Sequence, residues 1–329
     1  MSEVAITGTA AVLEEALEER LDALPDAVRS RALRAERVTQ LALTASGGAL
    51  AEAGLLAVEG EPRPDFGITL GTAFGCFLTN AAYQRRVATD GTRVASPRLF
   101  AATVSNAAAG EVGIGYRLGG PAVTLTAGAA AGLLAIGHAA DAITSARARV
   151  ILAGGVDATG PALARWLADG GLAVGETPVC GAAAIAVLQS TRAADGPGGG
   201  TPGKVRGYVL GYGAGFTPPG EDDGGGVLAA VSQALDHARV RPVQLARVVL
   251  EGAPSAADPS QRALRAVLGG AVPAAARPSH DHVERFAAGG PIALLAALRD
   301  ATPEAPFLVL HACPSGHVAA LIAMRTRPA

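Results

Sequence analysis

The stretch from Gly119 to Gly132 contains the residues whose pattern points most directly to chemistry, because a short apolar strand is followed there by helix formers. The small residues around Gly128 are predicted to form the turn between the two elements. Enzymes that use such a turn for covalent catalysis place Ser or Cys at its apex, since the helix N-terminus stabilises an anion there. This chain has Gly128 at the apex, so no side chain is available to react.

Other reactive groups are sparse. Cys76, Cys180 and Cys313 are widely spaced and odd in number, with no CxxC pattern, so neither disulfides nor structural zinc is expected. The acidic run 221–223 precedes three glycines. Because Ca²⁺ ligands usually alternate along a loop, this run is predicted to be a solvated turn. No metal site is predicted.

Alternating strands and helices are expected to position the central turn. The glycine- and proline-rich stretch 190–204 is the best boundary in the chain. It divides the sequence into an N-terminal half, 1–195, and a similar C-terminal half, 205–329. Strands are predicted at 4–7, 66–70, 150–155, 182–188, 205–212, 248–251, 307–312 and 318–324, and helices at 11–24, 40–53, 105–116, 163–168, 227–238, 261–268 and 286–298.

Composition excludes several classes of protein. Only 17% of the 329 residues are charged and the formal net charge is −2, which argues against nucleic-acid binding and against a polybasic membrane surface. No apolar run approaches the roughly 18 to 20 residues of a membrane span. The start of the sequence has no basic region followed by a leader-like apolar core. The sequence therefore predicts a cytoplasmic α/β protein with a small-molecule or protein partner.

A succession of short motifs runs through the sequence from residue 4 to residue 324. The motifs are Ile6-Thr7-Gly8, Gly71-Thr72, Ser96-Pro97, Asn106-Ala107-Ala108-Ala109-Gly110, Gly120-Pro121, Thr126-Ala127, Gly154-Gly155, Phe286-Ala287-Ala288-Gly289 and Gly316-His317-Val318-Ala319. Their order resembles that of the β-ketoacyl synthase family of the thiolase superfamily. The resemblance implies a five-layered αβαβα fold of two related halves with mixed sheets, and dimerisation through the first half. It also implies acyl groups presented as thioesters on the phosphopantetheine of an acyl carrier protein, with no resident cofactor.

The resemblance also implies where catalytic groups would stand, and this chain lacks each of them. The family's cysteine falls on Gly128, its first histidine on Glu251 and its second histidine on Val283. The family's lysine falls on Pro278. Covalent catalysis at the elbow is therefore excluded, and a carboxylate at the first histidine position would repel an enolate.

Some nearby groups are candidate substitutes. After a small shift of register His280 or His282 would replace the lost imidazole, and Arg277 would replace the charge of the lysine. His317 matches a residue often found in the family's terminal loop and is interpreted as structural. In the family's register neither Cys180 nor Cys313 reaches the apex of the elbow, so both are interpreted as free cysteines.

Loss of the reactive groups on a retained scaffold predicts a pseudoenzyme. The sequence resembles a chain length factor, the inert partner of an active ketosynthase in type II polyketide or polyene synthesis, although such partners commonly carry glutamine at the position of Gly128. Such a subunit would donate wall residues to the acyl tunnel across a dimer interface. The candidates, each of which could instead be a core aromatic, are Phe74, Phe77, Phe100 and Tyr116.

Two other functions remain open. One is a divergent acyl-transfer, cyclisation or hydrolytic enzyme that uses Glu251 as a general base with His282 or His317 nearby, since burial raises the pKa of a carboxyl. The other is a homodimeric scaffold that binds acyl carriers without any reaction.

Overall fold

The protein is described here from a computed structural model, in residues 4–170, 178–191, 204–218, 221, 224–251, 259–269 and 283–327. Strands and helices alternate, as the sequence predicts. The strands are β1 (Val4–Leu13), β2 (Phe66–Thr72), β3 (Ala122–Thr126), β4 (Val150–Asp157), β5 (Ala182–Ser190), β6 (Gly207–Phe216), β7 (Arg247–Glu251), β8 (Phe307–Ala312) and β9 (His317–Met324).

The helices differ widely in length, and one short 3-10 turn, Phe286–Ala288, leads directly into the last of them. They are α1 (Leu17–Asp22), α2 (Asp26–Ala32), α3 (Arg37–Glu52), α4 (Phe77–Asp90), α5 (Pro97–Ala101), α6 (Ala107–Gly115), α7 (Ala131–Thr144), α8 (Pro161–Asp169), α9 (Gly225–Ala238), α10 (Pro259–Val267) and α11 (Gly289–Asp300).

All nine strands belong to one mixed sheet in the order β3-β2-β4-β5-β1-β6-β9-β8-β7. The first five come from the N-terminal half of the chain and the last four from the C-terminal half. Among the described strands of the sheet, the two halves meet where β1 pairs with β6, from Val4–Val209 to Ile6–Gly207. The sheet therefore continues across the predicted boundary, and the division at 195 and 205 stays a prediction.

The two halves repeat one topology. In the first, β2 runs parallel to β4, and β4, β5 and β1 follow in antiparallel pairs. In the second, β7 runs parallel to β8, and β8, β9 and β6 follow in antiparallel pairs. Within the described residues only β3 has no counterpart in the second half. The predicted pair of related halves is thus confirmed.

Helices divide this structure into five layers. Helix α3 packs outside the first half's strands, and α9 packs outside β6 and β9. Between the two sets of strands lie α7 and α11, each of which contacts strands of both halves. Three separate apolar cores lie between the layers, and the middle one unites α7 and α11 with both sets of strands. The expected αβαβα arrangement is therefore confirmed.

One predicted element is wrong over part of its length. Residues 11–24 are rich in helix formers, but strand β1 extends to Leu13 before the helical turns begin. Ala11 and Leu13 pair with Ala184 and Ala182 of β5. Helix propensity is a weak preference, and here strand pairing within a buried sheet overrides it.

Candidate functional site

The turn between β3 and α7 has the form expected of a nucleophile elbow. Gly128 adopts a left-handed backbone conformation with φ of 54°, which favours glycine. A Cβ at this position would lie 2.5 Å from Ser315 Oγ and 3.1 Å from Cys313 Sγ. The place where a reactive side chain would begin is therefore occupied by groups from the loop between β8 and β9.

That loop brings three polar side chains to the elbow. Cys313 Sγ lies 3.0 Å from Ser315 Oγ, and Ser315 Oγ lies 3.2 Å from His317 Nδ1. The thiol also donates to the carbonyl of His317 at 3.1 Å. All three residues are partly exposed. We define Cys313, Ser315 and His317 as the thiol loop.

The expectation that Cys313 stays away from the elbow apex is wrong. The chain reverses between β8 and β9 beside the start of α7, and this carries the thiol to Gly128. A contact between residues so far apart in sequence has no local signal, so only the tertiary structure shows it. Cys180 is elsewhere, with its thiol donating to the carbonyl of Gly181.

An aromatic cluster covers one side of the elbow. Phe286 lies edge-on to Phe74 with ring centroids 4.8 Å apart, and Trp166 lies 5.9 Å from Phe74. Phe77 completes the set, 5.7 Å from Trp166. Ala129 and Cys313 pack against the same group. Of the proposed wall residues, Phe74 and Phe77 are therefore close to the elbow.

Phe286 occupies a position with unusual backbone geometry. Its φ is 46°, a conformation that side chains other than glycine rarely adopt. In the sequence resemblance this position matches the first glycine of the family's Gly-Ala-Ala-Gly pattern, so the conformation is kept while the glycine is lost. The ring is 5% exposed, and it fills space beside the elbow that a glycine would leave open.

The other two proposed wall residues lie apart from this cluster. Tyr116 is fully buried in the first core and its hydroxyl donates to the carbonyl of Leu43 at 2.7 Å, so this tyrosine packs as a core aromatic and does not line a tunnel within the chain. Phe100 is 61% exposed on α5, with Tyr83 as its aromatic neighbour. An exposed position leaves Phe100 available to a partner.

Asp157, which the sequence analysis did not single out, ties the site together from the end of β4. Its buried carboxylate accepts hydrogen bonds from the hydroxyl of Thr72 and from the backbone N–H groups of Ala73, Phe74 and Ala287. These donors belong to both halves of the chain. Burial raises the pKa of Asp157, while the hydrogen bonds oppose that shift. The sequence signal that could have identified Asp157 is an acidic residue at the end of an otherwise apolar strand.

Glu251 ends β7 and faces the start of α11, where a Cβ on Gly289 would lie 2.8 Å from its Oε1. Burial raises its pKa to about 7, the charge of Glu284 adds to the rise, and the charge of Arg285 opposes it. Its neighbour across the parallel pair is His311. That histidine is fully buried, and burial lowers its pKa to about 4.

The remaining predicted positions contribute less. Val283 is partly exposed beside Glu284, and its apolar side chain has no group that transfers protons. His317 also lies edge-on to Phe216, 5.0 Å between ring centroids, which fits its interpretation as a structural residue. His280, His282, Arg277 and Pro278 lie outside the described residues, as do Asp222 and Asp223.

No group of three or more His, Cys, Asp or Glu side chains in the described part of the chain is arranged to hold a metal ion. Among its helices none combines the length and apolar character needed to cross a bilayer.

A strand-to-helix elbow in a doubled, five-layered α/β fold defines a thiolase-like protein. The family model "Beta-ketoacyl synthase, N-terminal domain" matches residues 2–216. The chain therefore belongs to the β-ketoacyl synthase family, and the resemblance seen in the sequence is confirmed.

Similar curated proteins include nodulation protein E of Rhizobium meliloti strain 1021, with 35% identity over 141 residues, 41% of this chain and 34% of that protein. The tetracenomycin polyketide synthase ketoacyl synthase alpha subunit of Streptomyces glaucescens is 31% identical over 129 residues, 37% of this chain and 30% of that protein. The matched regions thus span about a third of the length of these relatives.

Solved structures agree on the fold. The ishigamide ketosynthase/chain length factor superposes with a TM-score of 0.79 at 23% identity, covering 99% of this chain and 100% of that one. A β-ketoacyl synthase from Burkholderia phymatum STM815 gives 0.78 at 19% identity, with coverage of 99% and 100%. A type II PKS acyl-carrier protein in complex with its ketosynthase gives 0.79 at 18%, with the same coverage.

Proposed function

We propose that this chain is a non-catalytic ketosynthase-like subunit of the chain length factor kind. It pairs with an active ketosynthase and shapes the tunnel for an acyl chain that is delivered on the phosphopantetheine of an acyl carrier protein. The observation that carries the proposal is the elbow itself. Gly128 has no nucleophile, and the space where one would begin is already filled by Ser315 and Cys313.

The family positions around the elbow support the same conclusion. Glu251 and Val283 stand where the resemblance places two histidines, and neither supplies an imidazole that would assist decarboxylation. Among the solved structures with this fold, one is named for a ketosynthase/chain length factor and one for an acyl-carrier protein in complex with its ketosynthase. Those names make both types of partner reasonable for this chain.

The edge of the sheet supplies a surface for the partner. Strand β3 is the last strand on its side, and Ala122 and Thr126 at its ends are exposed. Unpaired edges are usually covered in native proteins, because their backbone groups otherwise invite aggregation. A small cleft beside this edge is lined by Thr124 and by Val104, among others. We therefore place the partner against β3 and the loop that carries Val104.

Co-expression with a ketosynthase that retains the family's Thr-Ala-Cys elbow tests the proposal. Val104→Asp and Val243→Asp form a matched pair, since the two valines are 52% and 76% exposed but lie in different halves. We expect the first substitution to abolish co-purification and the second to leave it unchanged. A strictly monomeric chain that binds no such ketosynthase would contradict the proposal. A homodimer that binds acyl carriers but no ketosynthase would instead favour the scaffold.

A second candidate function is an altered enzyme that uses Glu251 as a general base. The observation in its favour is the pKa of about 7, which lets this carboxyl exchange protons near neutral pH. The histidines predicted to assist it are His282 and His317, and the residue paired with Glu251 on the neighbouring strand is His311. Glu251→Gln separates the two functions, since a tunnel-shaping subunit keeps product assembly and an acid–base enzyme loses turnover.

A further inference from the structure

The thiol loop places a nucleophile beside an elbow that has none. Cys313 Sγ lies 3.1 Å from the position of a Cβ on Gly128, which is where the reactive side chain of an active family member would begin. The sulfur therefore lies at the same site, although it belongs to the loop between β8 and β9 and not to the elbow. Its neighbours along the loop, Ser315 and His317, form a chain of hydrogen-bonding groups that leads away from it.

We propose that Cys313 is an acyl-accepting nucleophile that receives an acyl group from a thioester bound beside Gly128. This inference goes beyond the proposed subunit function, which needs no covalent step. In this proposal the chain acylates itself and carries the acyl group temporarily as a thioester.

The step balances without any further reactant. The thiol proton of Cys313 passes through the Ser315 hydroxyl, 3.0 Å away, to Nδ1 of His317, which is 3.2 Å beyond. The sulfur attacks the thioester carbonyl carbon, and a new sulfur–carbon bond forms as the bond to the donor's sulfur breaks. The departing thiolate takes the proton from His317. One thioester has been exchanged for another, with no change of oxidation state.

The surroundings favour this exchange electrostatically. Helix α7 starts at Ala131, shortly after the elbow, and the residue before it, Ala130, provides no side-chain cap. The free N–H groups of a helix's first turn favour a developing negative charge. A tetrahedral intermediate formed at Cys313 would therefore carry its oxyanion near the positive end of a 14-residue helix.

A second polar group near this site has no assigned task. His311 is a residue of β8, two positions before Cys313, which follows the end of that strand. It is fully buried, and neither ring nitrogen has a hydrogen-bond partner in the described part of the chain. Buried polar groups without partners are rare and usually reflect a ligand, water or a functional role. A bound thioester would bring carbonyl oxygens to this part of the protein.

The aromatic cluster supplies an apolar surface for the acyl tail. Cys313 packs against the cluster that contains Phe286 and Phe74. Trp166 at its outer side is 40% exposed, so the cluster is accessible from solvent. This arrangement favours an aliphatic acyl group over a charged one.

The experiment uses the purified full chain with hexanoyl-N-acetylcysteamine and, separately, hexanoyl-coenzyme A, followed by intact-mass spectrometry and peptide mapping. The first donor is a truncated mimic of the end of the phosphopantetheine arm, and the second carries the whole arm. We expect a mass increase of one hexanoyl group, mapped to Cys313. The adduct should disappear in Cys313→Ala and persist in Cys180→Ala, a matched control because Cys180 is also partly exposed.

The proton path has its own test. We expect His317→Gln to slow acylation by about a hundredfold, the usual scale of a lost general base. His237→Gln is the matched control, since that histidine is on α9 and should leave the rate unchanged. Equal rates in both variants would remove His317 from the mechanism and overturn the relay.

Other outcomes overturn the acylation itself. They are the absence of an adduct on the folded wild-type chain, an adduct that persists in Cys313→Ala, or one that maps to Cys180 or Cys76. Peptide mapping of the wild-type chain decides the site even if the alanine variant does not fold. Because the reaction needs no ketosynthase, its failure leaves the co-purification result unaffected, and the reverse also holds.

Discussion

The two halves of the molecule present different residues to the central helices at equivalent positions. The last residues paired between β2 and β4 are Gly71 and Gly155, and the last paired between β7 and β8 are Glu251 and His311. A Cβ on either glycine would clash with backbone of the central layer, at Ala131 or Ala287. The first half therefore keeps glycine so that helices pack closely, whereas the second half places two titratable groups there.

The turns that start the two central helices differ in a similar way. Gly128 and Phe286 share a left-handed backbone, with φ of 54° and 46°. The first position has no side chain and leaves room for the thiol loop. The second has a large ring that packs into the aromatic cluster despite the backbone strain. The same backbone conformation therefore carries no side chain in one half and a buried aromatic ring in the other.

Phe286 gives the largest expected effect. Phe286→Ala should lower the free energy of unfolding by about 4 kcal/mol, because a buried aromatic ring is lost from a packed cluster. Phe286→Gly should be less destabilising than Phe286→Ala by about 1 kcal/mol, because glycine adopts the left-handed conformation without strain. Urea unfolding of both variants measures the difference. If Phe286→Gly is instead more destabilising than Phe286→Ala, the left-handed backbone at this position is not strained.

Asp157 connects the two turns, so its removal should be almost as severe. Asp157→Ala leaves donors from both halves buried without an acceptor, and we expect a loss of about 3 kcal/mol in the free energy of unfolding. Asp157→Asn should be milder because its amide oxygen still accepts. Thermal and urea unfolding check both variants, and a loss below about 1 kcal/mol in Asp157→Ala would refute the link between the halves.

Glu251 should make stability depend on pH. Its folded pKa of about 7 lies above the ordinary value of 4.5, so the folded state holds the proton more tightly. The stabilisation is complete below the unfolded pKa and is lost as pH rises through the folded pKa. Glu251→Gln should therefore match wild type in stability below the unfolded pKa and exceed it by about 3 kcal/mol above the folded pKa. Chemical unfolding at both ends of this window tests the sign.

Gly128 offers the smallest effect and a matched control. Gly128→Ala should lower the free energy of unfolding by about 1 kcal/mol, because its φ is positive and its Cβ would crowd Ser315. Gly110→Ala, in α6, meets nothing within 4 Å, so it should raise stability by about 0.5 kcal/mol through helix propensity. Equal effects at the two positions would mean that the elbow tolerates a side chain.

Most of the fold could be predicted from local patterns. Apolar runs flanked by glycines marked the buried strands, and the strand-to-helix turn at Gly128 lies where the sequence placed it. The error in β1 arose because Ala and Leu favour helix locally, whereas pairing with β5 fixes the extended form. Pairing partners more than a hundred residues away leave no mark on a local window.

The site was less predictable for the same reason. The sequence alone determined that Gly128 has no nucleophile, since this depends only on residue identity. The tertiary structure decided what surrounds it, because Cys313, Phe286 and Asp157 reach the elbow from distant segments of the chain. Their closeness results from the packing of two halves around α7 and α11. Such long-range packing depends on the whole chain and on no single motif.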